Sequence, residues 1–216
     1  MFQALIEYFS WPIGTLELAA TVLLLINVYL LGQQKLVNYL FGFGGVFLMG
    51  FVLMANKLYS DMLLRWMFYA PLQIVGYYLW RFGRTLGDTD APASTNSMTI
   101  VMLPTRLWPI LLLGVLATAA GLGCFMATYT DASFPYIDAL TTMLSIAASV
   151  LMLKKVLEDW WLWIIMDVIA IPLYFLKGLY VVSGLYVVFL GLAILGLVQW
   201  LDDYRALKTK EAVGVT

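Results

Sequence analysis

Apolar stretches of about 20 residues recur along this chain, and that recurrence limits what it can fold into. A helix of this length crosses about 30 Å of hydrocarbon and satisfies its own backbone hydrogen bonds there. Seven stretches read as spans: roughly 14–33, 37–55, 59–80, 107–128, 134–153, 159–176 and 181–201. Composition agrees, with 63% hydrophobic and 12% charged residues, where a soluble domain carries roughly half and a quarter. The expected fold class is all-α integral membrane, with seven transmembrane helices.

Several function classes fall away on composition. A net charge of −1 suggests no nucleic-acid partner. The single cysteine, Cys124, lies in an apolar segment, so no intramolecular disulfide forms and a small buried apolar role is expected. With no histidine, the usual zinc sites and histidine-based catalysis are unavailable. No cofactor is expected. The opening MFQALIEYFSWPIG lacks a basic segment and carries Glu7, so it does not read as a cleavable signal; residues 1–12 read instead as an interfacial helix. Residues 83–99, GRTLGDTDAPASTNSMT, have the Gly, Pro, Ser, Thr and Asp content of a flexible linker.

Seven spans put the termini on opposite faces, and the basic residues then sort. Nine of them (Lys35, Arg81, Arg84, Arg106, Lys154, Lys155, Arg205, Lys208 and Lys210) fall on the C-terminal side, against Lys57 and Lys177 on the other. Basic residues concentrate in cytoplasmic loops, so the N-terminus is expected outside and the C-terminus in the cytoplasm. Displacing the sequence by 120 residues brings Lys35 onto Lys155, Lys57 onto Lys177, Gly76 onto Gly196 and Trp80 onto Trp200, while KLY (57–59) and GLY (178–180) sit one residue out of register. These matches mark helix ends, and they divide the chain into a three-helix repeat (1–82), a linker with the fourth helix (83–130), and a second three-helix repeat with a tail (131–216). The odd central helix makes the repeats parallel, an architecture of transporters that bind substrate near the midplane.

Ionisable groups inside spans are costly and usually face an interior or a cavity. The sixth span carries the richest set. Trp160, Trp163, Asp167, Ile171 and Tyr174 recur at steps of three and four, on one helical face, and Pro172 removes a backbone donor nearby. Indoles attract a flat or cationic ligand, and a carboxylate one turn deeper neutralises it or accepts its hydrogen bonds. The face suits a small aromatic cation; Trp161 points elsewhere and reads as part of the interfacial aromatic belt. The fifth span adds Asp138, either a cap or a ligand contact, with Thr141 or Thr142 and Ser145. The third adds Trp66, Gln73 and Tyr77, with Asp61 and Arg65 spaced to pair with each other. Gln73 either binds a ligand hydroxyl or bridges helices. Asn27 and Asn38 are candidates to line the same cavity, and the glycines of FGFGGVFLMG permit close helix approach.

These segments resemble the PnuC family of vitamin transporters from about residue 33 to 205. The resemblance is carried by LYSDMLLRWMFYAPLQIVGYYLW (58–80), FPYIDALTTMLSIAASVLMLKK (134–155) and WWLWIIMDVIAIPLYFLKGLY (160–180). It implies a SWEET-like 3+1+3 fold, a homotrimer in a bacterial inner membrane with lipid around it, and facilitated diffusion of nicotinamide riboside or another B-vitamin precursor that is then trapped by a kinase. The resemblance implies Trp160, Trp163 and Asp167 as binding residues, and with the polar residues read from the spans the candidate substrate-binding set is Trp160, Trp163, Asp167, Tyr174, Gln73, Trp66, Asn38 and Asp138. The chain departs from the family pattern W-x-x-W-x-x-x-N in placing Asp167 at the last position, and its third helix reads Leu-Leu-Arg and Val-Gly-Tyr in place of L-L-Q and Y-G-W. An amide suits the carboxamide of nicotinamide, whereas a carboxylate suits an amine donor such as the aminopyrimidine of thiamine, so thiamine is the alternative ligand. An intramembrane enzyme is disfavoured by the absent histidine and Ser-Lys pairing. A membrane scaffold leaves the Trp-Trp-Asp face unexplained.

Overall fold

A computed structural model describes residues 13–55, 59–83, 98–130, 133–176 and 180–213. The expected interfacial helix at 1–12 and most of the expected linker lie outside these residues. The described chain is helical: α1 (Ile13–Gly32), α2 (Asn38–Ala55), α3 (59–82), α4 (Trp108–Tyr129), α5 (Pro135–Met152), α6 (Asp159–Leu176) and α7 (Tyr180–Val213). Among the described residues, six helices are long and apolar enough to cross a membrane. The expected third span is not one of the six. α3 is contiguous but divided into Tyr59–Leu64, a π-helical turn at Arg65–Tyr69, and Ala70–Phe82, each short on its own. α7 runs well past its expected end because the polar segment after Trp200 continues the helix.

The chain forms two compact units, Met1–Arg81 and Phe82–Thr216. In the first, α1 and α3 pack on α2 through its glycines. A Cβ on Gly45 would meet Leu24 and the Ala20 carbonyl, one on Gly50 would meet the Trp66 indole, and one on Gly42 would meet the side chains of Gln73 and Asn27. In the second, α4 packs on α5, α5 on α6 and α6 on α7. Its core gathers Val115 of α4, Leu144 and Ala148 of α5, and Leu162, Met166 and Ala170 of α6. α4 buries only a narrow stripe of small residues, Val115, Ala119 and Gly123. Cys124 falls just beside that stripe and is exposed, which corrects the expected buried role.

Two local devices occur in both units. The first is a helix end. Gln34 and Lys155 both adopt positive φ, at 55° and 50°. After each, the amide reaches back five residues, Lys35 to the Leu30 carbonyl (3.0 Å) and Val156 to that of Leu151 (3.2 Å). The residue at positive φ itself donates three residues back, Gln34 to Leu31 (2.9 Å) and Lys155 to Met152 (3.0 Å). These are Schellman ends, which satisfy carbonyls that a helix terminus otherwise orphans. The second device is aromatic. Tyr39 stands edge-on to Trp80, with centroids 5.3 Å apart, and its ring occupies the space a Cβ on Gly76 would fill. Trp160 stands edge-on to Trp200 at 5.6 Å, with its ring in the space above Gly196. In each case only glycine, four residues before the tryptophan, lets the ring lie against the helix backbone.

A short extended strap precedes α4. Val101 forms a parallel bridge with Val156: its amide donates to the Lys155 carbonyl (3.1 Å), and its carbonyl accepts from Leu157 (2.9 Å). Met98 and Ile100, on one side of the strap, are buried. The end of the expected flexible linker is therefore a docked element, because its alternating apolar residues find a hydrogen-bonding loop to pair with.

Candidate functional site

Asp167 sits mid-way along α6, with 2% of its surface exposed, and Oδ1 has no hydrogen-bond partner. A buried carboxylate without a partner is costly, and such groups in membrane spans mark ligand or ion pathways. Around it α6 presents Trp163, half-buried against the α4–α5–α6 core, and Tyr174, which packs on the same core. Tyr174 stacks on Tyr186 of α7, rings 5.0 Å apart and 9° from parallel. Ser183 donates to the Ile171 carbonyl at 2.8 Å, tying α7 to the turn that contains Pro172, through which α6 continues as helix. Tyr186 and Ser183 escape a reading of the sequence because they sit in a long apolar run; their spacing of three from each other is the only signal there.

The other expected residues divide between structural and polar settings. Trp160 is 1% exposed, seated against Gly196 and Trp200, and its Nε1 has no hydrogen-bond partner. Trp66 lies in the π-turn of α3, stacked on Phe47 and edge-on to Phe51, and its Nε1 donates to the Phe47 carbonyl at 3.2 Å. Asn38 is fully buried at the start of α2; its Nδ2 donates to the Lys35 carbonyl at 2.6 Å. Asn27 Nδ2 in turn donates to the Asn38 carbonyl at 2.9 Å and approaches its Oδ1 at 3.3 Å. Gln73 and Asn27 both lie over Gly42, so the first unit holds an uncharged chain of amides, Gln73, Asn27 and Asn38. Asp138 is half-buried in the first turn of α5. The hydroxyls on its helix turn inward to their own backbone: Thr141 and Thr142 donate to the Asp138 carbonyl, Ser145 to Thr142, and Ser149 to Ser145. The side chain of Asp61, expected to pair with Arg65, lies outside the described set; Arg65 sits 6.0 Å from the centre of the Tyr69 ring.

The acidic pair at the head of α6 has a different setting. Glu158 Oε2 accepts the Leu103 amide at 2.9 Å and so anchors the strap. Burial pushes the Glu158 carboxyl above its usual range, against the opposing pull of that amide. Lys155, also buried, is held down to about 8 by desolvation, which outweighs the attraction of Asp203. Among the described residues no group of three or more acidic or sulfur side chains is placed to hold a metal ion.

Chemically, then, the second unit offers a deep carboxylate with an unsatisfied oxygen on the same helix as a half-buried indole and a stacked tyrosine. A family model described as nicotinamide mononucleotide transporter matches residues 14–202. The nicotinamide riboside transporter PnuC of Neisseria mucosa is 34% identical over 174 residues, 80% of this chain and 64% of that protein, so the chain spans less than two thirds of that relative. The protein of the same name from Escherichia coli K12 is 26% identical over 213 residues, covering 91% of this chain and 89% of its own. A solved structure described as a crystal structure of the vitamin B3 transporter PnuC aligns with a TM-score of 0.70 at 27% identity, over 95% of this chain and 87% of that one.

Proposed function

The chain belongs to the nicotinamide mononucleotide transporter family, and we propose from that premise that it is a multi-pass membrane carrier of nicotinamide riboside working by facilitated diffusion. The relatives named nicotinamide riboside transporter support this substrate, and thiamine is not carried forward. The observation that carries the reading to this chain is the unpartnered Asp167 carboxylate beside Trp163 on α6. The ligand ring stacks on Trp163, the Tyr174–Tyr186 pair closes that side, and Asp167 meets the ligand's polar or charged edge. Trp160 sets the placement of α6 by packing.

The finer architecture belongs to the same proposal. Residues 59–82 make a third span despite the π-turn, giving seven in a 3+1+3 arrangement. The paired Schellman ends and the paired aromatic-over-glycine contacts support a repeat of three helices. We place the protein in a bacterial inner membrane as a homotrimer, N-terminus outside, on the sorting of basic residues and the family likeness.

The test is uptake of labelled nicotinamide riboside into proteoliposomes. Wild type is expected to equilibrate the label, and Asp167→Ala to lose most of that uptake while remaining monodisperse in detergent. Undiminished uptake in the variant sinks the site; no uptake by wild type sinks the substrate.

A further inference from the structure

The setting of Asp167 bears on which form of a ligand this carrier selects. Within the second unit, no lysine or arginine occurs in 108–129, 135–152, 159–176 or 180–200, the lengths of α4, α5 and α6 and of α7 up to Trp200. Asp167 lies eight residues into the 18-residue α6, about 12 Å from its start at the helical rise of 1.5 Å per residue. Met166 and Ala170, its neighbours on the helix, are buried with it. No basic side chain of its own unit is therefore available at its depth, and Oδ1 is unsatisfied. Among the described helices of its own unit this carboxylate finds no counter-charge, and a ligand that brings a fixed positive charge supplies one.

We propose that Asp167 is a charge-selecting residue, acting as counter-ion to a planar ring that carries a permanent positive charge. This rests on the riboside reading above and deepens it. An amide at this position hydrogen-bonds a charged and an uncharged ring with little preference. A carboxylate in a poorly solvated site favours the charged one, because hydrogen bonds and contacts to an ionised group gain strength where water is excluded.

The experiment uses two ligands of nearly the same shape that differ in charge: nicotinamide riboside, a pyridinium cation, and its uncharged 1,4-dihydro form. Each is titrated by calorimetry into the purified full-length protein, wild type and Asp167→Asn. Wild type is expected to favour the cation by roughly tenfold to a hundredfold, the range of a charge-assisted contact. Asp167→Asn is expected to bring that ratio to within about threefold of unity, chiefly by weakening the cation, since the amide keeps the shape and one acceptor. A wild-type ratio near one overturns the proposal whether or not the variant folds. So does an unchanged ratio in a folded variant, and in either case nicotinamide riboside binding leaves the carrier reading standing. If wild type binds neither form, the carrier reading itself falls, and charge selection falls with it.

Discussion

Two tryptophans one turn apart on α6 do different work, and burial separates them. Trp160 is enclosed, its ring filling the space over Gly196; Trp163 is half-buried and keeps part of its ring available. Truncating an enclosed tryptophan removes a large contact area and leaves a cavity, costing about 3–5 kcal/mol. Trp160→Ala is therefore expected to lower thermal stability in detergent markedly, and Trp160→Phe much less. Trp163→Ala is expected to leave stability within about 1 kcal/mol of wild type and to weaken riboside binding tenfold or more. Fluorescence-detected melting and calorimetric titration of both variants check this; equal loss of stability in the two would remove the division. The sequence put both residues on one face with Asp167, and that much was legible from spacing. It did not separate them, because the partner that encloses Trp160 is a glycine 36 positions later, and a glycine announces no contact by itself.

At the scale of elements, the loop before α6 is where charge, backbone and strap meet. The strap comes after a segment rich in Gly, Pro and Ser, so composition extends the linker through residue 99 and gives no sign that Val101 pairs with the loop 155–157. Lys155, in the loop that the strap pairs with, is buried, and its titration lies near 8, below the ordinary lysine value of 10.5, because desolvation outweighs the Asp203 attraction. Between about 8 and 10.5 the unfolded chain holds the Lys155 proton and the folded chain has released it. Stability attributable to this lysine therefore rises with pH across that window, and the cost is fully present below it. Lys155→Met removes this titration. The melting temperature of wild type minus that of Lys155→Met is expected to climb between pH 8 and pH 10 in matched detergent; a flat difference would mean that Lys155 keeps contact with water in the folded protein.

For the whole molecule, the sequence shift of 120 residues is incomplete in an informative way. The helix ends correspond at 121: Gln34 with Lys155, the first residue of α2 with that of α6 (Asn38 and Asp159), and Tyr39 with Trp160. The starts of α3 and α7, Tyr59 and Tyr180, also differ by 121. Past the turn at Arg65–Tyr69, Gly76 and Gly196, and Trp80 and Trp200, differ by 120. One residue has been taken up between them, and a π-turn is what a helix makes when it accommodates one extra residue without rotating the turns beyond it. The near-repeat KLY and GLY, one place out of step at a shift of 120, falls into step at 121. Spacing alone revealed the matches but not where the register changes, because a π-turn has no residue signature.

A register change of this kind makes deletion informative. Met67 lies within the π-turn and is 69% exposed, so its removal sacrifices little packing. Without it, 59–81 closes as regular α-helix, and Gln73, Gly76 and Trp80 keep their facing toward α2. The same deletion at Ile74 has no π-turn to absorb it and turns part of the helix by about 100°, since each residue of an α-helix advances by a 3.6th of a turn. Either Tyr39 then loses its seat on Gly76 and Trp80, or Gln73 and Trp66 lose theirs on Gly42 and Gly50. The Met67 deletion is expected to yield a monodisperse carrier melting within a few degrees of wild type, and the Ile74 deletion to aggregate. Should both aggregate alike, the π-turn holds no spare residue and the register change needs another cause.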